Sequence, residues 1–121
     1  MKYFFYKDDN GNVPVKEFLR GISDKSEVKF KKCFEELVKS GGVTDGVTVS
    51  KLRGYPLQEI RVKEKKDLHR IIIKIRLNDA FVLLHAFTKP EGYKKGDKKV
   101  NQMIDREINV AMNRLDKMLN K

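Results

Sequence analysis

The chain has 121 residues, of which 40% are hydrophobic and 36% charged, and its formal net charge is +10. This length and balance predict one folded domain over 1–121, and the positive charge favours a polyanion or an acidic protein as partner. The single cysteine excludes an internal disulfide, no His/Cys cluster suggests a metal, and neither a signal peptide nor a membrane span is evident, so we predict a cytoplasmic protein without a metal or cofactor.

The N-terminal part predicts a strand followed by two helices. The aromatic run KYFFYK at 2–7 is typical of a strand, and the turn cluster DDNGN follows it. A short helix is predicted over 14–22, beginning at a proline. A second helix is predicted from Asp24, which forms a capping box with Glu27, to about Ser40 before two glycines. We expect the two helices to form an antiparallel hairpin against a sheet.

Three apolar runs between 51 and 89 predict an antiparallel meander, preceded by a polar connector with weak strand character at 44–50. The runs are joined by KEKKD and by Asn-Asp at 78–79, a pair that suits a tight turn. In the middle run LHRIIIKIRL, alternation places four apolar residues on a core face: Ile71, Ile73, Ile75 and Leu77. The opposite face then carries basic residues beside Arg61 of the preceding run: Arg70, Lys74 and Arg76.

The last run, AFVLLHAFTK, is apolar on both faces, which predicts an interior strand. Strict alternation would place the following residues on one of its faces: Phe81, Leu83, His85, Phe87 and Lys89. A glycine-punctuated basic loop follows at 91–99, and an amphipathic helix is predicted over Asn101–Leu119. The resulting order is β-α-α-β-β-β-α, a compact α+β domain whose antiparallel meander is packed by an N-terminal helical hairpin and a C-terminal helix.

The positive charge is concentrated on the meander and the loop after it. Between 51 and 99 there are fourteen Lys or Arg against six Asp or Glu, so this segment carries +8 of the total +10. No nucleophile triad, phosphate loop or carboxylate pair is evident. Basic residues with a histidine suit RNA phosphodiester cleavage, since the RNA supplies its own 2′-OH nucleophile. The same residues would serve a binder that does no chemistry, and a plain solvated surface is the alternative for Lys74 and Arg76.

Five segments carry a family resemblance: KLRGYP at 51–56, LQEIR at 57–61, LHRIII at 68–73, LLHAFTK at 83–89 and REINVAMNRL at 106–115. In this order they resemble the RelE/ParE toxin superfamily, and within it the phage-associated HigB-like branch with its LWELR, YRI-x-Y, LLHAF and EI-x-x-A-x-x-R patterns. The resemblance implies the toxin of a type II toxin–antitoxin system. Such a toxin is a metal-independent, ribosome-dependent mRNA endonuclease that is neutralised by a cognate antitoxin.

The resemblance also implies roles for single residues. Arg61 and Arg70 match strand arginines that bind and polarise the phosphate, and Lys89 matches a basic position that stabilises the transition state. His85 matches the LLHAF histidine, either as a proton carrier or as a packed histidine. Further residues are expected to contact RNA: Lys51, Arg53, Lys63, Lys65, Lys66, Lys74, Arg76, Tyr93, Lys94 and Lys95.

The chain departs from the branch pattern at several positions. Gln58 replaces the tryptophan, Ile73 replaces the tyrosine after the strand arginine, Met103-Ile104 stands where Thr-Pro opens the last helix, and 92–99 is an insertion. Two alternatives therefore stay open. One is a non-enzymatic ParE-like gyrase inhibitor with the last helix as contact surface, and the other is an inactive phage-derived RNA-binding remnant.

Overall fold

A computed structural model describes residues 1–76, 79–90 and 97–120, and of Pro90 it describes the backbone. The elements in chain order are β1 (Lys2–Phe5), α1 (Pro14–Gly21), α2 (Asp24–Ser40), β2 (Val49–Lys51), β3 (Gln58–Glu64), β4 (Asp67–Ile75), β5 (Ala80–Pro90) and α3 (Lys98–Leu119). The predicted α+β class is confirmed. The 44–50 connector, however, contributes the additional short strand β2, because Val49 and its neighbours pair with β3.

The strands form one sheet in the order β1-β5-β4-β3-β2. β2 to β5 are antiparallel neighbours, as the predicted meander requires, and β1 pairs in parallel with β5. β5 therefore lies inside the sheet, as predicted. The β3–β4 turn needs only Lys65 and Lys66, and Lys65 has a positive φ of 51°. Of the predicted 78–79 turn, Asp79 has φ 60° and Asn78 lies outside the described residues.

The helix ends differ slightly from prediction. Ser23, rather than Asp24, caps α2, because the Ser23 hydroxyl accepts a hydrogen bond from the Ser26 backbone N–H. Gly41 ends α2 with a left-handed φ of 70°, a conformation that suits glycine. α3 begins at Lys98, three residues earlier than predicted, because the Asp97 side chain caps it.

Two hydrophobic cores cover the two faces of the sheet. The hairpin face packs against α1 and α2 and contains Val15, Leu19, Phe30, Phe34, Ile60, Ile71, Ile73, Phe81 and Leu83. The α3 face packs against α3 and contains Tyr6, Leu57, Ile72, Val82, Leu84, Phe87, Ile108, Ala111 and Leu115. The predicted core face of β4 is thus confirmed for its three isoleucines, and Leu77 lies outside the described residues.

Candidate nucleic-acid interface

The centre of the site is a pair of arginines on neighbouring strands. Arg61 of β3 and Arg70 of β4 are directly opposite each other in the sheet. Both lie on the α3 face, since Ile60, Val62 and Ile71 beside them point into the opposite core. Two like charges facing each other across a strand pair are unfavourable unless an anion compensates them. The pair therefore defines a position where negative charge is stabilised.

Glu59 supplies part of this compensation. Its carboxylate is 8% exposed and lies between the two arginines, with Oε1 3.8 Å from Arg61 Nε and Oε2 3.5 Å from Arg70 Nη1. One carboxylate against two guanidinium groups leaves the cluster with one excess positive charge. Both contacts are long for charge-assisted hydrogen bonds, so the arginines keep donors for a second anion.

The two arginines differ in their surroundings. Arg61 is 37% exposed and donates from Nη2 to the Val47 carbonyl at 2.9 Å. Arg70 is only 13% exposed, and its buried Nε–H has no acceptor among residues 1–76, 79–90 and 97–120. A buried donor without a partner typically costs about 1–3 kcal/mol. A bound phosphate would relieve this cost if the Arg70 side chain moved enough to expose Nε, whereas Arg61 is already accessible.

Lysines extend the positive surface toward the end of the sheet. Lys63 and Lys89 lie in one cross-strand row with Leu68 between them, one row beyond the arginine pair. Lys65 and Lys66 form the adjoining turn and are exposed. We call Arg61, Lys63, Arg70 and Lys89 the basic end of the sheet. It brings together three of the predicted catalytic residues on one face.

His85 reaches this face because of a β-bulge. The β4–β5 register shifts between Ile72 and Ile73, so Ile72 pairs with His85 while Ile73 pairs with Leu83. The extra residue, Leu84, lies in the α3-side core, and the next residue, His85, contacts α3 as well. The expectation that His85 shares a face with Phe81 and Leu83 is therefore wrong, because strict alternation ends at the bulge.

Both ring nitrogens of His85 are engaged. Arg114 of α3 donates from Nη1 to Nδ1 at 3.1 Å and to the Leu84 carbonyl at 2.7 Å. Since a guanidinium only donates, Nδ1 accepts, and Nε2 carries the hydrogen that is donated to Glu107. Burial lowers the pKa of His85, an effect that Glu107 opposes and Arg114 reinforces. This geometry favours the packed histidine over the proton carrier.

The reverse side of the same strand ends carries a polar chain. His69 is 5% exposed, and its ring nitrogens lie 2.8 Å from Thr88 Oγ1 and 3.1 Å from Glu64 Oε1. Ser23 donates to the other carboxylate oxygen of Glu64, and these hydrogen bonds lower the Glu64 pKa. His69 lies on the hairpin face, where its ring is edge-on to Phe18 of α1 at 5.8 Å. This series of hydrogen-bonded side chains links the start of α2 to the strand ends that hold Lys63, Arg70 and Lys89.

Four predicted RNA-contacting residues lie away from the basic end. Lys74 is four residues from Arg70, roughly 13 Å along the strand, and donates to the Pro56 carbonyl at 2.8 Å. Arg53 is exposed in the loop before β3. Arg76 has a positive φ of 71° and lines a cavity of about 220 Å³ with Lys51 and residues of the hairpin face. Its predicted place beside Arg70 is therefore wrong, because β4 ends at Ile75 and alternation ends with it.

The remaining predicted contacts, Tyr93, Lys94 and Lys95, lie outside the described residues. Ile73 is fully buried on the hairpin face, opposite to the face of Arg70. The side chain at this position therefore does not reach the arginine pair. Gln58, at the position of the family tryptophan, also points away from the face of Arg70. Its amide oxygen accepts a hydrogen bond from the Ile75 N–H at 2.9 Å.

Sequence reasoning missed Glu59, Glu107 and Arg114 as site residues. The last two were already within the quoted EI-x-x-A-x-x-R segment, and His85 was within LLHAF. The structure shows that these two segments contact each other. Within the described ranges, no group of three or more His, Cys, Asp or Glu is arranged to hold a metal ion, and no helix there is long and apolar enough to cross a membrane.

A five-stranded sheet between a helical hairpin and a C-terminal helix, with basic side chains at one end, defines an α+β protein with a candidate anion-binding face. The chain belongs to the family described as phage-derived Gp49-like proteins (DUF891), whose family model matches residues 17–116. This is a RelE-like family whose members are commonly toxins of toxin–antitoxin systems, which makes an antitoxin the expected partner. A comparison with curated proteins gave no match.

Proposed function

We propose that this chain is a HigB-like toxin of a type II system that cleaves mRNA on the ribosome. The observation that carries the proposal is the arginine pair with the buried, unpartnered Nε–H of Arg70. A phosphodiester placed there would accept hydrogen bonds from two guanidinium groups. Membership of the Gp49-like family supports the same function.

The proposed chemistry needs no nucleophile from the protein. The RNA 2′-oxygen attacks the adjacent phosphorus, the O2′–P bond forms, and the P–O5′ bond breaks. The products are a 2′,3′-cyclic phosphate and a 5′-hydroxyl. The 2′ proton must leave, the 5′-oxygen must receive a proton, and the charge on the phosphoryl oxygens must be stabilised.

We assign charge stabilisation to Arg61, Arg70 and Lys89, the three basic residues predicted for this task. The Nε–H of Arg70 has no acceptor among the described residues and would become available if the side chain moved, and Lys89 lies one row further along the α3 face. Glu59 is the carboxylate in contact with the arginine pair, so we propose it as the acceptor of the 2′ proton, while the leaving 5′-oxygen takes its proton from solvent water. His85 would position α3 over the site, since both of its nitrogens are engaged.

The lysines of the β3–β4 turn would contact the RNA strand on either side of the cleaved bond. Lys63 lies on β3 beyond Arg61, Lys65 and Lys66 form the turn after it, and all three are exposed. Single-stranded RNA carries one phosphate per nucleotide, and such a run of cations can follow its backbone. A ribosome-bound message would present this strand without secondary structure.

The test is translation of a defined mRNA in a purified cell-free system, with mapping of the new 5′ ends. Wild type is compared with Arg70→Ala and with Arg76→Ala. Arg76 is a matched control, because it is an exposed arginine directly after the far end of β4, away from the arginine pair. We expect new ends on translated message with wild type and Arg76→Ala, and none with Arg70→Ala.

Three results would contradict the proposal. Cleavage by the folded Arg70→Ala variant would remove the arginine pair from the mechanism. Cleavage of untranslated message at the same rate would show that the reaction does not require the ribosome. Intact message together with DNA damage in cells would favour a gyrase inhibitor.

A further inference from the structure

Within residues 1–76, 79–90 and 97–120, no strand covers the outer edge of β1. It is the terminal strand of the described sheet, where it pairs with β5. Lys2 and Tyr6 donate their N–H groups toward β5, to the carbonyls of Asp79 and Leu83. Since successive residues of a strand alternate in direction, the N–H and C=O groups of Tyr3 and Phe5 point to the open edge. This leaves backbone donors and acceptors positioned for a further strand.

The same edge exposes aromatic side chains on both faces of the sheet. Tyr3 is 38% exposed on the hairpin face, and Phe4 is 42% exposed on the α3 face. Edge strands of soluble proteins are usually protected by charge, proline or a covering element. An open edge with apolar side chains on both faces is typical of a strand that pairs with a partner.

A cavity of about 300 Å³ adjoins this edge on the hairpin face. Its lining combines apolar and charged residues: Tyr3, Phe5, Leu19, Phe34, Lys16, Arg20, Glu27 and Lys31. A second cavity of about 260 Å³ shares Lys16 and Arg20 with it, so these two cations stand between the cavities. Lys31 is paired with Glu27 at 2.9 Å. We call the two cavities together the groove. Lys16 and Arg20 are exposed, and although Glu17 also lines the second cavity, the groove keeps excess positive charge.

We propose that an acidic, extended segment of a partner polypeptide binds here as a sixth strand along β1. Its backbone would pair with Tyr3 and Phe5. On the hairpin face, its acidic side chains would meet Lys16 and Arg20 while an apolar side chain enters the adjoining cavity. This surface lies on the hairpin side of the sheet, whereas the arginine pair lies on the α3 side. The inference therefore does not depend on RNA cleavage.

The details of the groove favour a polypeptide over RNA and over a second copy of the chain. The Tyr3 ring is already stacked on Phe81 at 5.1 Å, and Lys16 covers the Phe5 ring at 5.1 Å, so one face of each ring is occupied before a base could stack there. Pairing of two β1 edges would bring two sets of Lys2, Lys16 and Arg20 together, which like-charge repulsion opposes. An acidic segment satisfies both the open edge and the cations.

The test uses a phage-displayed library of random peptides selected on the folded chain. We expect enriched peptides with several Asp or Glu around an apolar residue. The double variant Lys16→Glu/Arg20→Glu should weaken their binding by at least about tenfold, because attraction becomes repulsion. The control Lys25→Glu/Lys29→Glu makes the same charge change at the same helical spacing, on α2 outside the groove, and should leave affinity within about twofold.

Hydrogen exchange gives a second, local readout. Exchange of the Tyr3 and Phe5 amides should slow by at least about tenfold when the selected peptide binds, since new hydrogen bonds protect them. Four outcomes would overturn the proposal: no enriched peptide, enriched peptides without acidic residues, equal loss of affinity in the control variant, or unchanged exchange at both amides. Concentration-dependent dimerisation that protects the same amides would assign the edge to a second copy instead.

Discussion

Arg61 and Arg70 face each other across β3 and β4, and the carboxylate of Glu59 lies between their guanidinium groups. Local sequence joins Glu59 to Arg61 but not to Arg70, which is eleven positions from Glu59. The relationship follows from the two-residue turn at Lys65 and Lys66, which sets the register of the strands. It also leads to the first two predictions.

Arg70→Lys should keep the charge but lose the planar fork and the Nε–H donor. Under the proposed function we expect mRNA cleavage to fall by about 10²-fold, the typical cost of removing one transition-state donor. Single-turnover cleavage on translating ribosomes measures the effect, with Arg76→Lys as control. Equal rates for wild type and Arg70→Lys would mean that a positive charge at this position is sufficient without the guanidinium group.

Glu59→Gln should destabilise the fold, because two arginines would then face each other without an opposing charge. We expect the free energy of unfolding to decrease by about 1–3 kcal/mol, measured by urea denaturation. Glu35→Gln on the exposed side of α2 is the control and should have little effect. An unchanged midpoint for Glu59→Gln would show that the compensation is unimportant for stability.

Lys65→Ala/Lys66→Ala should weaken RNA binding without abolishing cleavage at saturation, because the turn lies beyond the arginine pair. The slope of log affinity against log salt should become less steep by about 1.4, or about 0.7 per lost contact to a single strand. Fluorescence anisotropy with a labelled oligoribonucleotide measures the slope. A slope equal to that of wild type would place the RNA elsewhere on the surface.

His85 should make stability depend on pH. Burial lowers its folded pKa below the ordinary value of 6.5, so the unfolded chain binds more protons in this range. The stability that a neutral His85 provides is complete above pH 6.5. It is lost as the pH falls from 6.5 through the folded pKa, by at most about 1.4 kcal/mol per pH unit.

Urea denaturation between pH 7 and 5 measures this loss, and His85→Asn should flatten the curve although it lowers stability overall. The carboxyl groups with lowered pKa, including Glu64, have ordinary values of 3.8 or 4.5 and lose their contribution only at lower pH. An identical slope in His85→Asn would assign the effect to another group.

Phe34→Ala should leave a cavity in the hairpin-face core. Phe34 is 1% exposed, and its ring lies 5.4 Å from that of Tyr3 and 6.4 Å from that of Phe81. We expect a loss of about 3–5 kcal/mol in the free energy of unfolding. Val28→Ala is the control, since Val28 is 64% exposed on the same helix. A melting temperature as high as that of the control would contradict the packing of α2.

The sequence by itself determined the elements whose signal is periodic and local. Spacings of two to four residues predicted the isoleucine face of β4 and the apolar stripe of α3, and a glycine predicted the end of α2. The structure confirms all three. Alternation along β3 and β4 also predicted that Arg61 and Arg70 lie on the same face of the sheet. The family resemblance predicted the toxin class, and the match to the Gp49-like family agrees with that prediction.

Only the tertiary structure decided relationships between distant segments. The bulge after Ile72 moves His85 to the α3 face, and the end of β4 turns Arg76 away from Arg70. The pairing of His85 with Glu107 joins two segments that the sequence separates by more than twenty residues. These features depend on strand register and helix docking, which are fixed by the balance of packing over the whole domain and leave no periodic signal in either segment alone.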